Sequence, residues 1–508
     1  MVETKVIEMF KNGSVFPDDE HYERIQRYKT NELLFKGKPY QAWSESKILT
    51  KAQKNILQIS VNLPSIICKK SADFLFGDGM KVLSGKGDDT REQRAFDRFV
   101  ETNDLNILNY ESALSNAYFG DAFIKVRYGQ EYNGMLPVEV DEPRIFIENI
   151  DPKTVFPEEF EYNKDKLKCI HIAVPVEVED GIYTLSVESH YPNMILYTSY
   201  KVTPLHYNIL GDVDRWMIQT EIEEERHYVI TGVPTPLVVH IPNTGIVGQW
   251  EGIDDLTEHH GILDEINNRL AQISDILDKH SDPAMAVPTG LLTEDDDGMA
   301  SFKVAHDKVF EVMGKDDVLP QYITWNGQLN EAFTELDKLV ELLLTTAEIP
   351  TVVLGKGDSG TSGSSGLAIK WRMNSLLSKI NRKRQYYHKG LKSVFYIAQS
   401  LETNLGLADY SITIPLLQFN DGLPKDEMEQ ANIMSIRSGG AKTISQKTAI
   451  MGLNNMTEEQ AQKEIERIKQ EEESSLTQVD NEFMDGSIET ANLSFTNMNE
   501  DKVEELAI

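Results

Sequence analysis

Two long stretches with apolar side chains on one helical face constrain the fold more than any other feature of the sequence. In Ile253–His280 and again in Asn330–Ile349, apolar positions recur at alternating spacings of three and four residues. The two series are Leu256, His259, Leu263, Ile266, Leu270, Ile273 and Leu277, then Leu329, Phe333, Leu336, Val340, Leu343 and Ala347. This spacing predicts two helices of roughly 30–40 Å, at ~1.5 Å per residue, each with an apolar seam. Such a seam can pack against long helices in other copies of the chain or against other elements in an ordinary core, and the pattern does not distinguish the two.

The charges of the first stretch agree with a helix that begins near Ile253. Asp254, Asp255 and Glu258 lie in the predicted first turns, and Lys279 and His280 lie in the last one. Acids near the start of a helix and bases near its end are favoured by the helix dipole.

A small insert separates the two predicted helices, over residues 283–327. It contains three strand-like pieces, Ala284–Val287, Lys303–Met313 and Gln321–Trp325, and an acidic turn, Glu294–Gly298. A segment of about 45 residues is too small to bury a core of its own. We therefore expect it to be stabilised by pairing with other chains.

A loop of small residues follows the second helix, and a long basic helix follows the loop. The loop, Leu354–Gly366, has the sequence LGKGDSGTSGSSG, and the predicted basic helix runs from Gly366 to about Ser400. No Asp or Glu occurs between Asp358 and Glu402, which is the strongest local charge asymmetry of the chain. Two interpretations stay open: a solvated or subunit-facing basic side that pairs with acids elsewhere, and a contact with phosphates. The candidate residues for phosphate or subunit contacts are Lys370, Arg372, Arg382, Lys383 and Arg384.

The rest of the chain indicates an α+β fold with an antiparallel sheet. Residues 1–80 are predicted to be helical, with a break at Pro64 and a short helix at Ser65–Phe76, and another helix covers 105–120. Alternating apolar and β-branched residues between 120 and 243 predict strands. These are Ala122–Tyr128, Arg144–Ile150, Cys169–Val176, Tyr183–Val187, Asn193–Val202 and Trp216–Ile222, with hairpin turns at 129–134 and 180–181. A strand at Ser411–Pro415, helices at Pro424–Arg437, Ser445–Met451 and Thr457–Glu473, and an acidic disordered tail complete the prediction.

Composition excludes several classes of protein. The formal net charge of −32 argues against a nucleic-acid binder that works through a basic surface, although it permits DNA to slide past without being trapped. Two distant cysteines provide no metal spacing and no disulfide framework. The first residues do not form a signal peptide, and no apolar run is long enough to span a membrane.

Signals for catalysis are weak. A phosphate-binding P-loop needs G-x-x-x-x-G-K-[ST], whereas Lys356 is followed by Gly357 and lacks the earlier glycine. His259 and His260 are adjacent, which does not fit an H-E-x-x-H metal site, and no G-x-S-x-G occurs. No cofactor or metal is expected. A nucleotide-dependent enzyme that uses the loop 354–366 is kept as the alternative function, and a filament or scaffold built on residues 253–349 is a third interpretation.

Several stretches, in order, resemble the portal proteins of tailed bacteriophages, of the SPP1 portal type. They are Asn62–Gly77 (NLPSIICKKSADFLFG), Gly120–Arg127 (GDAFIKVR), Ile147–Pro157 (IENIDPKTVFP), Leu237–Asn243 (LVVHIPN), Ile349–Lys370, Phe419–Gln430 (FNDGLPKDEMEQ), Gly440–Ser445 and Thr457–Glu472. The resemblance covers about residues 30–470.

This resemblance implies a portal-type α+β fold divided into named parts. Expected are a wing (1–250, with a long helix and strand at 367–423), two stem helices (251–280 and 328–350) and a small α/β clip (281–327). A tunnel loop (351–366), a helical crown (424–473) and an acidic disordered tail (474–508) complete the division.

The resemblance also implies a function without catalysis. The chain would form a dodecamer-type ring at one capsid vertex of the virion, assembled in the host cytoplasm, through which double-stranded DNA is packaged and ejected. Implied partners are the terminase large subunit, the head–tail adaptor, and the major capsid and scaffolding proteins, with no membrane. The DNA-facing loop residues would be Lys356, Asp358, Ser359, Thr361, Ser362 and Ser364. The docking residues of the clip would be Glu294, Asp295, Asp296 and Asp297.

Overall fold

A computed structural model gives the arrangement of most of the chain. It describes residues 8–44, 60–132, 135–208, 211–281, 285–286, 293–294, 300–301, 321–322, 329–355, 370–420, 427–439, 442–454, 456 and 460–471. The chain divides into two units, Met1–Leu423 and Pro424–Ile508.

Helices and strands alternate in blocks along the first unit. Its α-helices are α1 (Asp19–Phe35), α2 (Pro39–Ser44), α3 (Leu63–Phe76), α4 (Arg91–Thr102), α5 (Leu105–Phe119), α6 (His260–Ser281), α7 (Leu329–Thr346) and α8 (Asn374–Asn404). Its strands up to α6 are β1 (Val15–Phe16), β2 (Met80–Leu83), β3 (Asp121–Gly129), β4 (Arg144–Ile150), β5 (Val155–Phe160), β6 (Asn163–Glu179), β7 (Ile182–Tyr191), β8 (Met194–Tyr207), β9 (Val213–Glu221), β10 (His227–Ile230) and β11 (Val238–Pro242). The later strands are β12 (Met285–Ala286), β13 (Thr293–Glu294), β14 (Ala300–Ser301), β15 (Gln321–Tyr322) and β16 (Leu416–Phe419). The predicted α+β class is confirmed.

The largest sheet is antiparallel, as the alternating pattern predicts. Its strands follow the order β1-β9-β8-β7-β6-β5, and β10 pairs with β8. Asp180 and Gly181 join β6 to β7, and Gly181 has a φ of +74°, which glycine adopts without steric cost. The hairpin predicted at 180–181 is therefore confirmed. One face of this sheet covers an apolar cluster that includes Phe10, Phe156 and Trp216.

A second sheet, in the order β11-β3-β4, packs with the long helix α8 in the main core. The apolar stripe predicted on this helix is buried, including Leu376, Ile380, Tyr387 and Leu391. Gly390 allows the closest approach: a Cβ at this position would lie 2.5 Å from Ile241 Cγ1 in β11. Since real Cβ atoms do not come so close to a carbon, glycine lets the helix lie directly on the strand.

The predicted break at Pro64 is instead the start of α3. Pro64 occupies the first turn of this helix, where a missing N–H leaves no hydrogen bond unmade. The side chain of Asn62 caps the turn by accepting from the backbone N–H of Ser65 at 3.1 Å.

Two further boundaries differ from the predictions. The first seam helix, α6, begins at His260 after a 3₁₀ turn at Thr257–His259, and not at Ile253. The predicted strand at Ser411–Pro415 is not a strand, and β16 follows it. The side-chain amide of Gln399 holds the backbone of Thr413, donating to its carbonyl at 2.9 Å and accepting from its N–H at 2.9 Å. This side chain takes the hydrogen bonds that a neighbouring strand would otherwise make.

The second unit contains α9 (Glu427–Ser438) and α10 (Gln446–Asn454), which pack against each other, and a helical stretch at 460–471. The first two predicted helices of this region are confirmed within a few residues. The capping residue Thr457 and the predicted tail from 474 lie outside the described residues. In the part of the chain that the structure describes, no helix is long and apolar enough to cross a membrane.

Candidate functional site

Most of the predicted loop and clip residues lie outside the part of the chain that the structure describes. These are Lys356, Asp358, Ser359, Thr361, Ser362, Ser364, Asp295, Asp296 and Asp297. For Glu294 the backbone is described: it lies in β13, which pairs antiparallel with β14. The strands on either side of the predicted acidic turn are thus paired, and β12 pairs with β15 across the insert.

The two ends of the loop are described. Before it, a 3₁₀ turn at Thr351–Leu354 closes on Gly355, which has a φ of +73°. After it, Lys370, Trp371 and Arg372 form a helical turn with all three side chains exposed. Lys370 and Arg372 are therefore available for the phosphate or subunit contacts predicted for them, which stay predictions.

The base of the α6–α7 helix pair contains a buried cluster of charged side chains. Asp255 precedes α6, and its carboxylate contacts two lysines of α8: Lys383 Nζ at 2.5 Å and Lys379 Nζ at 3.3 Å. Ser71 of α3 and Asn243 donate further hydrogen bonds to this carboxylate, at 2.9 and 3.1 Å. Burial alone would raise the pKa of Asp255, but the two lysines and these donors hold it well below its usual value.

Lys379 also reaches the other helix of the pair. Its ammonium donates to the backbone carbonyl of Ala347 at 3.1 Å, at the C-terminal end of α7, where carbonyl groups have no partner within the helix. One turn of α8 thus contacts the segment that leads into α6, through Asp255, and the residue that follows α7, Ala347. The two seam helices are fixed to the same buried point.

A third contact secures the end of α7. Glu348 has a φ of +60°, and the N–H of the next residue, Ile349, donates to the carbonyl of Leu344 at 2.8 Å. This hydrogen-bonding pattern ends a helix with a left-handed residue, a position usually occupied by glycine. Arg382 of α8 donates to both carboxylate oxygens of Glu348, at 2.6 and 2.7 Å.

Neighbouring residues determine how α6 begins. The carboxylate of Asp254 accepts from the N–H of Leu256 at 2.8 Å and from the N–H of Thr257 at 2.6 Å. This capping opens the 3₁₀ turn, so Asp254 and Asp255 precede the helix. The prediction that both acids lie in the first helical turns was wrong, because one caps the turn and the other binds α8.

Two of the basic residues predicted to make phosphate or subunit contacts bond within their own chain, and one of them, Lys383, is too buried to reach a phosphate or another subunit. Lys383 is only 3 % exposed and is paired with Asp255, and burial lowers the pKa of its ammonium despite that partner. The guanidinium of Arg384 donates to the carbonyls of Phe74 and Asn420. Arg382, Lys383 and Arg384 thus all bond to other parts of their own chain.

The sequence contains a signal for this arrangement that the prediction missed. Lys383 lies between Ile380 and Tyr387 at spacings of three and four, so it occupies a position of the apolar stripe itself. A lysine on the buried face of a helix needs a buried partner. Asp255 is 128 residues away, and no local pattern identifies it.

The chemistry available at this site is structural. Among the residues that the structure describes, no group of three or more His, Cys, Asp or Glu side chains could hold a metal ion. A buried carboxylate between two ammonium groups fixes positions, because separating either partner leaves an uncompensated buried charge. The nucleotide-loop alternative depends on Lys356 and its neighbours, and no observation on the described residues supports it.

Comparisons with known proteins agree with the resemblance noted in the sequence. The family model described as "phage portal protein, SPP1 Gp6-like" matches residues 16–478, which is most of the chain. No curated protein matches the chain. The matched range includes both seam helices, the insert, the Gly/Ser loop and the basic helix. The chain therefore belongs to the SPP1 Gp6-like family of phage portal proteins.

Proposed function

We propose that copies of this chain form a closed ring at one capsid vertex, and that the ring is a channel for packaging, retention and ejection of double-stranded DNA. The observation that supports this most is the shared anchor of α6 and α7 on α8, through Asp255, Lys379 and Lys383. Because the helix pair is fixed at its base, it can pack as one rigid unit against the helix pairs of neighbouring copies around an axis. The role is structural and needs no cofactor.

The charge balance supports passage of DNA rather than its capture. A ring whose copies each carry a net charge of −32 repels phosphates overall. Lys370 and Arg372 are exposed where the Gly/Ser loop rejoins α8. Together with Lys356 and the hydroxyl groups of Ser359, Thr361, Ser362 and Ser364, they would touch the DNA backbone without reading its sequence.

The parts of the chain take portal roles in this proposal. Residues 1–250 and 367–423 form the wing, and the stem consists of 251–280 and 328–350, with α6 and α7 as its helices. Residues 281–327 form the clip, 351–366 the tunnel loop, 424–473 the crown and 474–508 an acidic disordered tail. The division of the chain at Pro424 supports a separate crown.

The clip would provide the docking site for the terminase large subunit during packaging and for the head–tail adaptor afterwards. Glu294 and the three acids that follow it would contact these partners, while the wing would contact the major capsid and scaffolding proteins. Replacing Glu294, Asp295, Asp296 and Asp297 by their amides should weaken binding of terminase and adaptor and leave ring formation unchanged. Unchanged docking would count against this assignment.

A deletion of Gly357–Ser364 tests the channel itself. We expect rings to form normally and DNA packaging to fall strongly, because the loop is proposed to contact moving DNA and the described partners of Asp255 all lie elsewhere in the chain. A loop of the same length and composition in permuted order is the matched control, and it should package normally if the contacts are independent of sequence. Loss of rings in the deletion variant, or normal packaging by it, would contradict the proposal.

A further inference from the structure

The connection between β3 and β4 displays an unusual set of apolar side chains. In residues 130–143 the side chains of Tyr132, Met135, Leu136, Val138 and Val140 are all exposed, Met135 by 85 % and Val140 by 71 %. The same segment contains four acids, Glu131, Glu139, Asp141 and Glu142, and no basic residue. A contiguous cluster of exposed apolar side chains marks an interaction surface.

Hydrogen bonds within this connection hold its described residues in a defined shape. The buried carboxylate of Asp141 accepts from the N–H of Glu131 at 3.0 Å and from that of Tyr132 at 2.9 Å. The side chain of Gln130 donates to the carbonyl of Asp141 at 2.8 Å. The apolar groups are thus presented to solvent by an ordered segment, which lowers the entropy cost of binding.

A groove of complementary character lies between β11 and α8. Two adjacent cavities of about 520 and 370 Å³ share Pro236, Val238, Val239 and Ser393. Further apolar side chains line them, including the exposed Ile246 and Ile414. Lys389 lines one cavity and Lys392 the other. The groove thus combines an apolar floor with positive charge.

Two charged side chains on each surface form no ion pair within the described residues, although Glu131 pairs with Arg144 and Asp141 accepts from backbone N–H groups. Glu139 and Glu142 are exposed and form no ion pair there, and Lys389 and Lys392 form none either. Asp165 lines the same cavity as Lys389 but accepts from the backbone N–H of Gly248 at 2.7 Å. A contact of either surface with itself would place like charges together, which is unfavourable. A contact between the two different surfaces matches apolar groups with apolar groups and acids with lysines.

We propose that residues 135–142 of this connection in one copy dock in the β11–α8 groove of the next copy. Such a contact joins two different surfaces, as a heterologous interface requires, and repetition around an axis closes a ring. The inference rests on the ring assembly proposed above and identifies the surfaces that make it. Val138 and Val140 would enter the groove, and Glu139 and Glu142 would face Lys389 and Lys392.

Charge reversal tests this contact in the full-length chain. The variants are Lys389→Glu with Lys392→Glu, then Glu139→Lys with Glu142→Lys, and finally all four together. The control reverses two exposed charges elsewhere, Lys81→Glu with Glu111→Lys. Native mass spectrometry over a range of protein concentrations measures the concentration at which half of the chains are in closed assemblies, and circular dichroism checks that every variant is folded.

We expect each double reversal to raise this half-assembly concentration by about tenfold or more, because like charges then meet at every interface. The quadruple variant should return to within about threefold of the unmodified chain, and the control should not differ from it. Equal assembly of all variants, or a quadruple variant no better than the doubles, would overturn the inference and leave the groove to a different partner. If the unmodified chain forms no closed assembly, the proposed function fails together with this contact.

Discussion

Replacing Asp255 by asparagine removes the only negative charge that faces Lys379 and Lys383 among the described contacts of this site. The asparagine oxygen can still accept one hydrogen bond, but two buried ammonium groups lose their counter-charge. Breaking a buried ion pair from one side typically costs about 3–5 kcal/mol. Because Lys383 already has a lowered pKa and can lose its proton instead, we expect Asp255→Asn to reduce the free energy of unfolding by about 3 kcal/mol.

Matched variants separate the charge effect from loss of packing. Lys383→Met should cost less, about 1–2 kcal/mol, since Asp255 remains paired with Lys379 and hydrogen-bonded by Ser71 and Asn243. The variant with both Asp255→Asn and Lys383→Met should lose at least about 1 kcal/mol less free energy of unfolding than the sum of the two single variants, because the two side chains are in direct contact. Arg382→Met, which removes a half-exposed pair with Glu348, should cost no more than about 1 kcal/mol.

Tryptophan fluorescence during urea unfolding is the assay. All five tryptophans lie before residue 424, so the signal reports on the first unit alone. A loss below about 1 kcal/mol in Asp255→Asn, or strict additivity in the double variant, would refute the role assigned to this buried contact.

Three further changes test other parts of the account by the same unfolding assay. Gly390→Ala should destabilise the protein by about 1–3 kcal/mol, because its methyl group would meet Ile241. The control Gly261→Ala in α6 has open space around it and should stabilise the protein by about 0.5–1 kcal/mol. Equal effects of the two substitutions would contradict the close packing of α8 on β11. Glu348→Gly should change stability by less than about 1 kcal/mol, since relief of the left-handed backbone offsets the lost ion pair with Arg382. Glu348→Val should destabilise the protein by about 2 kcal/mol, because a β-branched residue is strained in this conformation. The reverse order would contradict the left-handed conformation assigned to residue 348 at the end of α7. Burial lowers the pKa of His171 to about 3, so the folded state binds its proton less readily than the unfolded chain does, and stability should fall as the pH decreases from about 6.5 towards 3. His171→Gln should reduce this loss by about 2 kcal/mol, and an unchanged pH profile would contradict the assignment.

Much of the fold follows from local patterns in the sequence. Strands β3, β4 and β7 and helix α5 fall where the apolar, β-branched and aromatic residues or the helical spacing predict them, because those side chains are largely buried. The same spacing predicts α7 and the stripe of α8.

The candidate site was harder to predict because it depends on contacts between distant residues. The partner of Lys383 lies in a turn before another helix, and the charge count of α8 alone suggested a surface that faces outward. Side-chain hydrogen bonds also changed two boundaries that the sequence patterns predict. Asp254 caps a 3₁₀ turn, so α6 begins later than predicted. Gln399 bonds to the backbone of Thr413, where the pattern predicts a strand. Such effects depend on single side chains, which periodicity does not record.

The most direct test of the central claim is an averaged end-on electron-microscopy image of the purified full-length chain. The account predicts closed rings with a central opening wide enough for a DNA duplex, of the same size across salt and protein concentrations that permit assembly. Monomers under all conditions, or open filaments in place of rings, would contradict it.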